Sequence, residues 1–365
     1  MLTTISLIQL GLGGVGRALV EQVLSTRGGQ ARYGVALRYV ALSDSSGAVF
    51  DEGGLDEAVV RSASQFKANG GRLVEHERGE AISDLGGLVE AVSEGPVIVL
   101  DTTAADPTVV MPAFEAALAR GGGVVLANKK PLTVSWAAWE RLIAEGRTGY
   151  EATVGAGLPV ISTLRYLLDT GDRIHKIEGA FSGTLGFVMS QLQDGAPFGE
   201  VVREAKARGW MEPDPRDDLS GTDVARKALI LARTLNYTLE LSDVTVTALY
   251  PPEFGQLSLD EFMARLDELN PMLAAQRDSA HARGQRLRYA ATINSDGLTV
   301  GPVTVNPDSP LGMLRGPDNL LVFESERYAS RPLVVQGAGA GVEVTASAML
   351  GDILQLAHGL GDYRD

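Results

Sequence analysis

Apolar runs and helical stripes alternate along the first 150 residues, and the alternation predicts strands separated by helices. Ile5 to Leu10 form a short apolar strand that runs straight into Gly11-Leu12-Gly13-Gly14-Val15-Gly16, after which Arg17 to Leu24 carry helical apolar spacing. A second strand is expected over Ala36 to Leu42, with Asp44 at its end and residues 25–35 as a loop. Pro96 to Leu100 are fully apolar and end in Asp101-Thr102-Thr103. A helix follows, with Pro107 near its start and Gly121 beyond its end. Val124 to Ala127 make another buried-type strand, closed by Asn128-Lys129-Lys130-Pro131, and residues 135–146 form a helix. Continuous apolar strands of this kind belong to a parallel sheet covered on both faces.

After residue 150 the pattern changes. Tyr150 to Pro159 is a glycine-rich bend, followed by an amphipathic helix to Leu168, a strand over His175 to Phe181, and a helix started by Ser182-Gly183-Thr184. Arg286 to Ile293 and Leu298 to Val305 alternate as strands around Asn294-Ser295-Asp296-Gly297, a hairpin signal, and Asn319 to Ser325 and Pro332 to Gln336 add further β structure. Gly337 to Gly341 then lead into a helix over Val344 to Leu360 that is expected to return to the first domain. The fold expected is therefore α/β: a Rossmann-type dinucleotide-binding domain over residues 1–150 plus 336–365, and an α+β substrate and dimerisation domain over 151–335, its sheet large enough to pair across a two-fold axis.

Composition narrows the partners. The 365 residues carry a net charge of −14 with no lysine or arginine run, so neither nucleic acid nor an anionic membrane is an expected partner. No apolar stretch reaches the length of a membrane span, and residues 1–10 lack the basic leader of a secretion signal. With no cysteine there is no disulfide framework, thiolate metal site or cysteine nucleophile, and a cytoplasmic protein fits. The four histidines, His76, His175, His281 and His358, show no metal-ligand spacing.

Three regions carry candidate chemistry. In the glycine turn, Gly11 allows the tight bend, Gly13 lets backbone approach a pyrophosphate and Gly16 lets helix pack on strand, while the helix start through Gly14 and Val15 receives phosphate. Asp44 is the candidate ribose ligand; its spacing from the glycines is somewhat long, Ser45 and Ser46 can equally serve a 2′-phosphate, and NAD and NADP both stay open. Ligands of open parallel sheets bind beyond the carboxyl ends of the strands, so Thr103 and Lys129 stand where nicotinamide and substrate should meet. Second, the bend carrying Glu151 offers carbonyls and a carboxylate that can surround a hard cation; a simple hinge is the other reading. Third, Trp210 to Lys227 places Glu212, Asp214, Asp217, Asp218 and Asp223 around a proline-stiffened corner, with Thr222 as the expected cap of a helix on which Asp223 and Lys227 share one face. A solvated acidic turn with an ordinary surface ion pair accounts for this last region alone.

Taken together, Asn-Lys-Lys at 128–130, Glu-Ala-Thr-Val-Gly-Ala-Gly-Leu-Pro at 151–159, Lys-Ile-Glu-Gly-Ala-Phe-Ser-Gly-Thr at 176–184, the run 212–227 and Gln-Gly-Ala-Gly-Ala-Gly at 336–341 resemble homoserine dehydrogenase over nearly the whole chain. The resemblance implies NAD(P)-dependent interconversion of L-homoserine and L-aspartate 4-semialdehyde, on the route from aspartate to threonine and methionine, in a homodimer. It implies catalytic roles for Lys227 and Lys129, a substrate pocket of Glu212, Asp218, Asp223, Gly183 and Thr184, and cofactor contacts along Gly11, Leu12, Gly13, Gly14, Val15 and Gly16 and at Gly341. A sodium or potassium ion at Glu151, Val154, Ala156 and Leu158 is also implied. The likeness departs at Trp210 and Met211, where the family commonly has a tyrosine or similar residue and then a small one. The chain stops at Asp365, so threonine inhibition through an added C-terminal domain is not expected. Other classes on the same first domain are a non-catalytic dinucleotide-sensing regulator and another NAD(P)-dependent dehydrogenase of a small amino or hydroxy acid. A phosphorylating semialdehyde dehydrogenase would need a thiol, and there is none.

Overall fold

The computed structural model describes residues 2–93 and 95–362; the last three residues of the segment 336–365 lie outside the described residues. Two compact units divide the chain: Met1–Gly157 together with Ala340–Asp365, and Leu158–Gly339.

The first unit is built on a seven-stranded sheet of β1 (Thr3–Leu10), β2 (Val35–Asp44), β3 (Gly47–Phe50), β4 (Gly79–Glu80), β5 (Val97–Asp101), β6 (Gly123–Leu126) and β7 (Thr148–Gly149), in the order β4-β3-β2-β1-β5-β6-β7. Strands β2, β1, β5, β6 and β7 are parallel, and β3 and β4 extend the β2 edge antiparallel. From Ile5 to Leu10 every residue of β1 is buried, Ser6 and Gln9 included, as in a mostly apolar strand covered on both faces. The chain leaves β1 for β2 on one side and returns to β5 on the other, so β1 and β5 flank the switch point, with Leu10 opposite Asp101 at their carboxyl ends. The helix Gly14–Ser25 follows β1 and packs against the helix Val342–Asp362. That helix contributes Ala346, Met349, Ile353 and Ala357 to the core at three- and four-residue spacing. Burying side chains the size of Met349 and Ile353 stabilises by roughly 1.5–3 kcal/mol each.

One feature of this unit differs from the sequence reading, and two more lie where it assigned no element. The expected loop 25–35 contains a short helix, Arg27–Arg32. Strand β2 turns back through Ser45 and Ser46 into β3. Residues 57–68, read as no particular element, form a helix whose buried face is Val60, Ala63 and Ser64.

The second unit holds a six-stranded sheet of β8 (Ile174–Ala180), β9 (Thr245–Val246), β10 (Arg286–Asn294), β11 (Gly297–Val305), β12 (Asp318–Ser325) and β13 (Leu333–Ala338), ordered β13-β12-β8-β10-β11-β9. Apart from the β11–β9 pair the strands are antiparallel. Asn294 faces Gly297 across a two-residue turn, which fixes the β10–β11 register. The helices Gly183–Gln193, Thr222–Thr234 and Asn270–Ala282 all contact β10. Together the units make an α/β protein with a Rossmann-type parallel sheet and a separate mixed domain.

Candidate active site

In the first unit the glycine turn is held from below. Gly11 adopts φ +92°, a conformation that disfavours any side chain, and its N–H donates to the Ser43 carbonyl at 2.8 Å. A Cβ at Gly16 would collide with the Gly11 carbonyl and stand 2.7 Å from Thr102 Oγ1 and 2.8 Å from Gln9 Nε2. Gly13, at the N-cap, would meet nothing within 4 Å and receives no side-chain cap. The amides opening the helix Gly14–Ser25 therefore have neither an intrahelical acceptor nor a capping side chain. That arrangement fits a pyrophosphate. Val342, following Gly341 at φ +142°, lies 3.2 Å from a Cβ placed on Gly14, so Gly341 stands beside this turn.

Two residues that sequence reasoning passed over complete the turn. Gln9 is fully buried; its Nε2 donates to the carbonyls of Gly11 (3.1 Å) and Gly16 (2.8 Å), and its Oε1 accepts from the Tyr39 hydroxyl at 3.0 Å. The Thr102 hydroxyl donates to the Gly11 carbonyl at 2.7 Å. The signal for Gln9 was a lone amide inside an otherwise apolar strand, which needs a partner once buried.

Asp44 is already occupied. Its Oδ1 accepts from the Ser46 amide (2.8 Å) and hydroxyl (2.5 Å), and its Oδ2 from Lys67 Nζ (2.6 Å) and the Leu73 amide (3.1 Å). Burial opposes ionisation, but these four donors outweigh it and hold the carboxyl at about 2. Both oxygens thus accept bonds from the protein, which fixes the carboxylate in place at the end of β2. Thr103 and Lys129 stand on the turns that follow β5 and β6, and Lys129 opens the short helical turn Lys130–Thr133.

In the bend, Glu151 is buried and its amide donates to Asp352 Oδ2 at 2.8 Å. Gly155 (φ +80°) and Ala156 (φ +57°) are consecutive left-handed residues. A left-handed alanine costs on the order of 1 kcal/mol, so something at this bend requires that backbone direction. Val154 is extended and buried. A buried carboxylate beside a strained bend fits a monovalent cation held largely by carbonyls. Leu158 opens the second unit, its carbonyl accepting from the Val160 amide at 2.8 Å.

The second unit gathers most of the acidic corner. Lys227 Nζ donates to the Phe181 carbonyl (2.7 Å) and pairs with Asp223 Oδ2 (2.8 Å); the lysine side chain is only 13% exposed, which separates it from an ordinary surface pair. Phe181 directly precedes Ser182, whose hydroxyl accepts from the Leu185 amide and caps the helix beginning at Gly183. The lysine amine thus lies beside that helix start. Thr184 Oγ1 donates to the Trp210 carbonyl at 2.7 Å, tying the same helix start to the acidic loop. The Glu212 amide donates to Asp218 Oδ2 at 2.8 Å, and the Glu212 side chain is exposed. Burial first, then the like charges of Glu212, Asp223 and Asp217, push the Asp218 carboxyl up. Crowding of this kind favours an incoming cation.

Not all five carboxylates join this cluster. Asp214 turns to Arg216, whose Nε lies 2.9 Å from Oδ1, and the guanidinium holds that carboxyl low; Asp217 is exposed. Thr222 is not the cap: Gly221, left-handed at φ +75°, holds that position, and Thr222 is the first helical residue. At Trp210 the backbone does the tethering, and the ring packs edge-on to Phe187 at 5.0 Å beneath the Arg208 guanidinium. The Phe181 carbonyl is a backbone contact, for which the sequence held no signal.

A glycine turn at the switch point of a parallel sheet defines a Rossmann-type dinucleotide-binding α/β protein, here with a lysine and a carboxylate cluster on a second domain. The family profile for homoserine dehydrogenase matches residues 159–354. The chain is 40% identical over 286 residues to a homoserine dehydrogenase of Emericella nidulans, covering 73% of this chain and 77% of that one. It is 39% identical over 373 residues to a chloroplastic bifunctional aspartokinase/homoserine dehydrogenase of Zea mays, covering 98% of this chain and 39% of that one. A hyperthermophilic archaeal homoserine dehydrogenase solved in complex with NADPH superposes with a TM-score of 0.73 at 26% identity, over 97% of each chain. The chain belongs to the homoserine dehydrogenase family. It spans about two fifths of the length of the bifunctional maize relative.

Proposed function

We propose that this protein interconverts L-homoserine and L-aspartate 4-semialdehyde using NAD or NADP. The observation that carries this reading is the placement of Lys227: its amine is held between Asp223 and the Phe181 carbonyl, beside the helix start at Gly183 and Thr184. The dinucleotide domain is assigned to residues 1–150 plus 336–365 and the substrate and dimerisation domain to 151–335. Supporting it are the unit boundaries after Gly157 and after Gly339.

Glu212 and Asp223 bind the substrate ammonium, with Asp218 behind them, and the amides at Gly183 and Thr184 receive the substrate carboxylate. When bound, the nicotinamide supplies or accepts the hydride at the reacting carbon. In the reductive direction Lys227 gives its proton to the aldehyde oxygen; in the oxidative direction it takes the hydroxyl proton back. Lys129 assists from the turn after β6. The turn from Gly11 through Leu12, Gly13, Gly14 and Val15 to Gly16 holds the pyrophosphate, with Gly341 beside it and Asp44 and Thr103 at the two ends of the cofactor. Glu151, Val154, Ala156 and Leu158 hold a sodium or potassium ion. The protein works in the cytoplasm as a homodimer.

The test is the change in nicotinamide absorbance when purified protein meets L-homoserine with NAD or with NADP, titrating each cofactor. Turnover with either supports the enzyme. Folded protein that binds dinucleotide yet turns over no homoserine would leave the sensing regulator as the better account.

A further inference from the structure

Asp101 ends β5 and is fully buried, with no cationic side chain paired to it among the described residues. Its Oδ1 accepts from the Thr103 amide (2.9 Å) and hydroxyl (2.7 Å), and its Oδ2 from Asn128 Nδ2 (3.1 Å). Asn128 passes the connection on: Nδ2 also donates to the Ala105 carbonyl and Oδ1 accepts from the Lys130 amide, each at 3.1 Å. Lys130 Nζ closes the circle on the Ala104 carbonyl at 2.6 Å. One carboxylate therefore orders two turns at once: the turn of Thr103, and the turn on which Lys129 stands between Asn128 and Lys130.

Such a group is expensive as a mere staple. Burial pushes the Asp101 carboxyl up, and only neutral donors offset it. An apolar strand end with ordinary turn residues would hold the two loops apart from water at lower cost, whereas directional bonds to an acceptor fix their geometry. We propose that Asp101 is a positioning residue, acting through Thr103 and Asn128 to set the two turns that present Thr103 and Lys129 to the nicotinamide. The proposal rests on the dinucleotide-dependent reading given above.

The test is Asp101→Asn. Its amide keeps an acceptor for Thr103 but turns a donor onto the Asn128 donor, so the link to the second turn is the one that breaks. Turnover falls about 10- to 100-fold while the Michaelis constant for homoserine and the dinucleotide dissociation constant stay within about three-fold, because misplacement is felt chiefly in the transition state. Amide hydrogen exchange at Lys130 accelerates while that at Thr103 changes little, a readout independent of activity. The swap Asp101→Asn with Asn128→Asp restores the donor–acceptor pairing and recovers part of the lost turnover. Should Asp101→Asn not fold, Asn128→Ala carries the same expectation. Turnover within about two-fold of the parent in whichever variant folds, or unchanged exchange at Lys130, overturns the proposal. So does a loss of turnover that only follows a loss of melting temperature and is not recovered in the swap. A parent protein that binds no NAD or NADP instead sinks the reading on which it rests.

Discussion

The phenol of Tyr289 closes directly on the backbone of Gly221, leaving no room for a side chain at the residue that opens the lysine-bearing helix. The same hydroxyl donates to the Thr247 carbonyl at 2.9 Å, so the ring cannot swing aside without giving up that bond. Gly221→Ala meets both this obstruction and a left-handed backbone, and is expected to cost about 2 kcal/mol or more. Tyr289→Phe keeps the ring and loses only the bond to Thr247, about 1 kcal/mol. Denaturant midpoints of the two variants measure the difference; equal losses would disprove the steric account.

Lys227→Ala removes the group that handles the proton. Turnover should fall by about two orders of magnitude or more, with dinucleotide affinity little changed, since the glycine turn is untouched. Fluorescence titration with NADPH alongside steady-state kinetics separates the two effects, and near-normal turnover would take Lys227 out of the mechanism.

Asp218 should show function working against stability. Its carboxyl titrates higher in the folded chain than in the unfolded one, so the folded state holds the extra proton and stability drops as pH rises through that range. Asp218→Asn keeps an acceptor for the Glu212 amide, so it should be more stable than the parent at neutral pH, a gain that disappears below about pH 4. The same change weakens the hold on the substrate ammonium and raises the Michaelis constant for homoserine several-fold. Thermal melts across pH and one kinetic series decide both halves; a neutral-pH loss of stability would contradict the sign argued here.

Asp44 should behave in the opposite sense. Its folded value, about 2, lies below the ordinary 3.8, so its contribution is present above the ordinary value and fades as pH falls towards 2. Lys67→Met removes one of four donors and should cost on the order of 1 kcal/mol at neutral pH. The gap between variant and parent should narrow on acidification. A gap that stays constant with pH would show that Lys67 contributes through packing and not through the carboxylate.

The sequence made local features legible and left their partners hidden. The strand before the glycine turn, the Ser182 cap and the Asn294 to Gly297 hairpin each depend on residues a few positions apart, and each forms where expected. Asp44 is different. Its place at the end of the second strand made it the candidate ribose ligand, but the hairpin into β3 and the helix over residues 57–68 bring Lys67 and the Leu73 amide to it from 23 and 29 positions away. Thr222 had the side chain of a cap; a left-handed glycine one position earlier displaced it. Gln9 was passed over and Asp101 was read only as the end of an apolar strand; the assembled sheet shows what each one holds.

The helix Val342–Asp362 belongs to the unit that begins at the amino terminus, so the chain between is an insertion. On the ribosome, strand β1 and the glycine turn emerge before the inserted portion but must wait for a helix that begins only at Val342, on its far side, while the inserted portion by then already has all its strands. The nascent first unit therefore exposes the apolar groove destined for Met349 and Ile353 throughout that interval, which makes it the natural client of a chaperone.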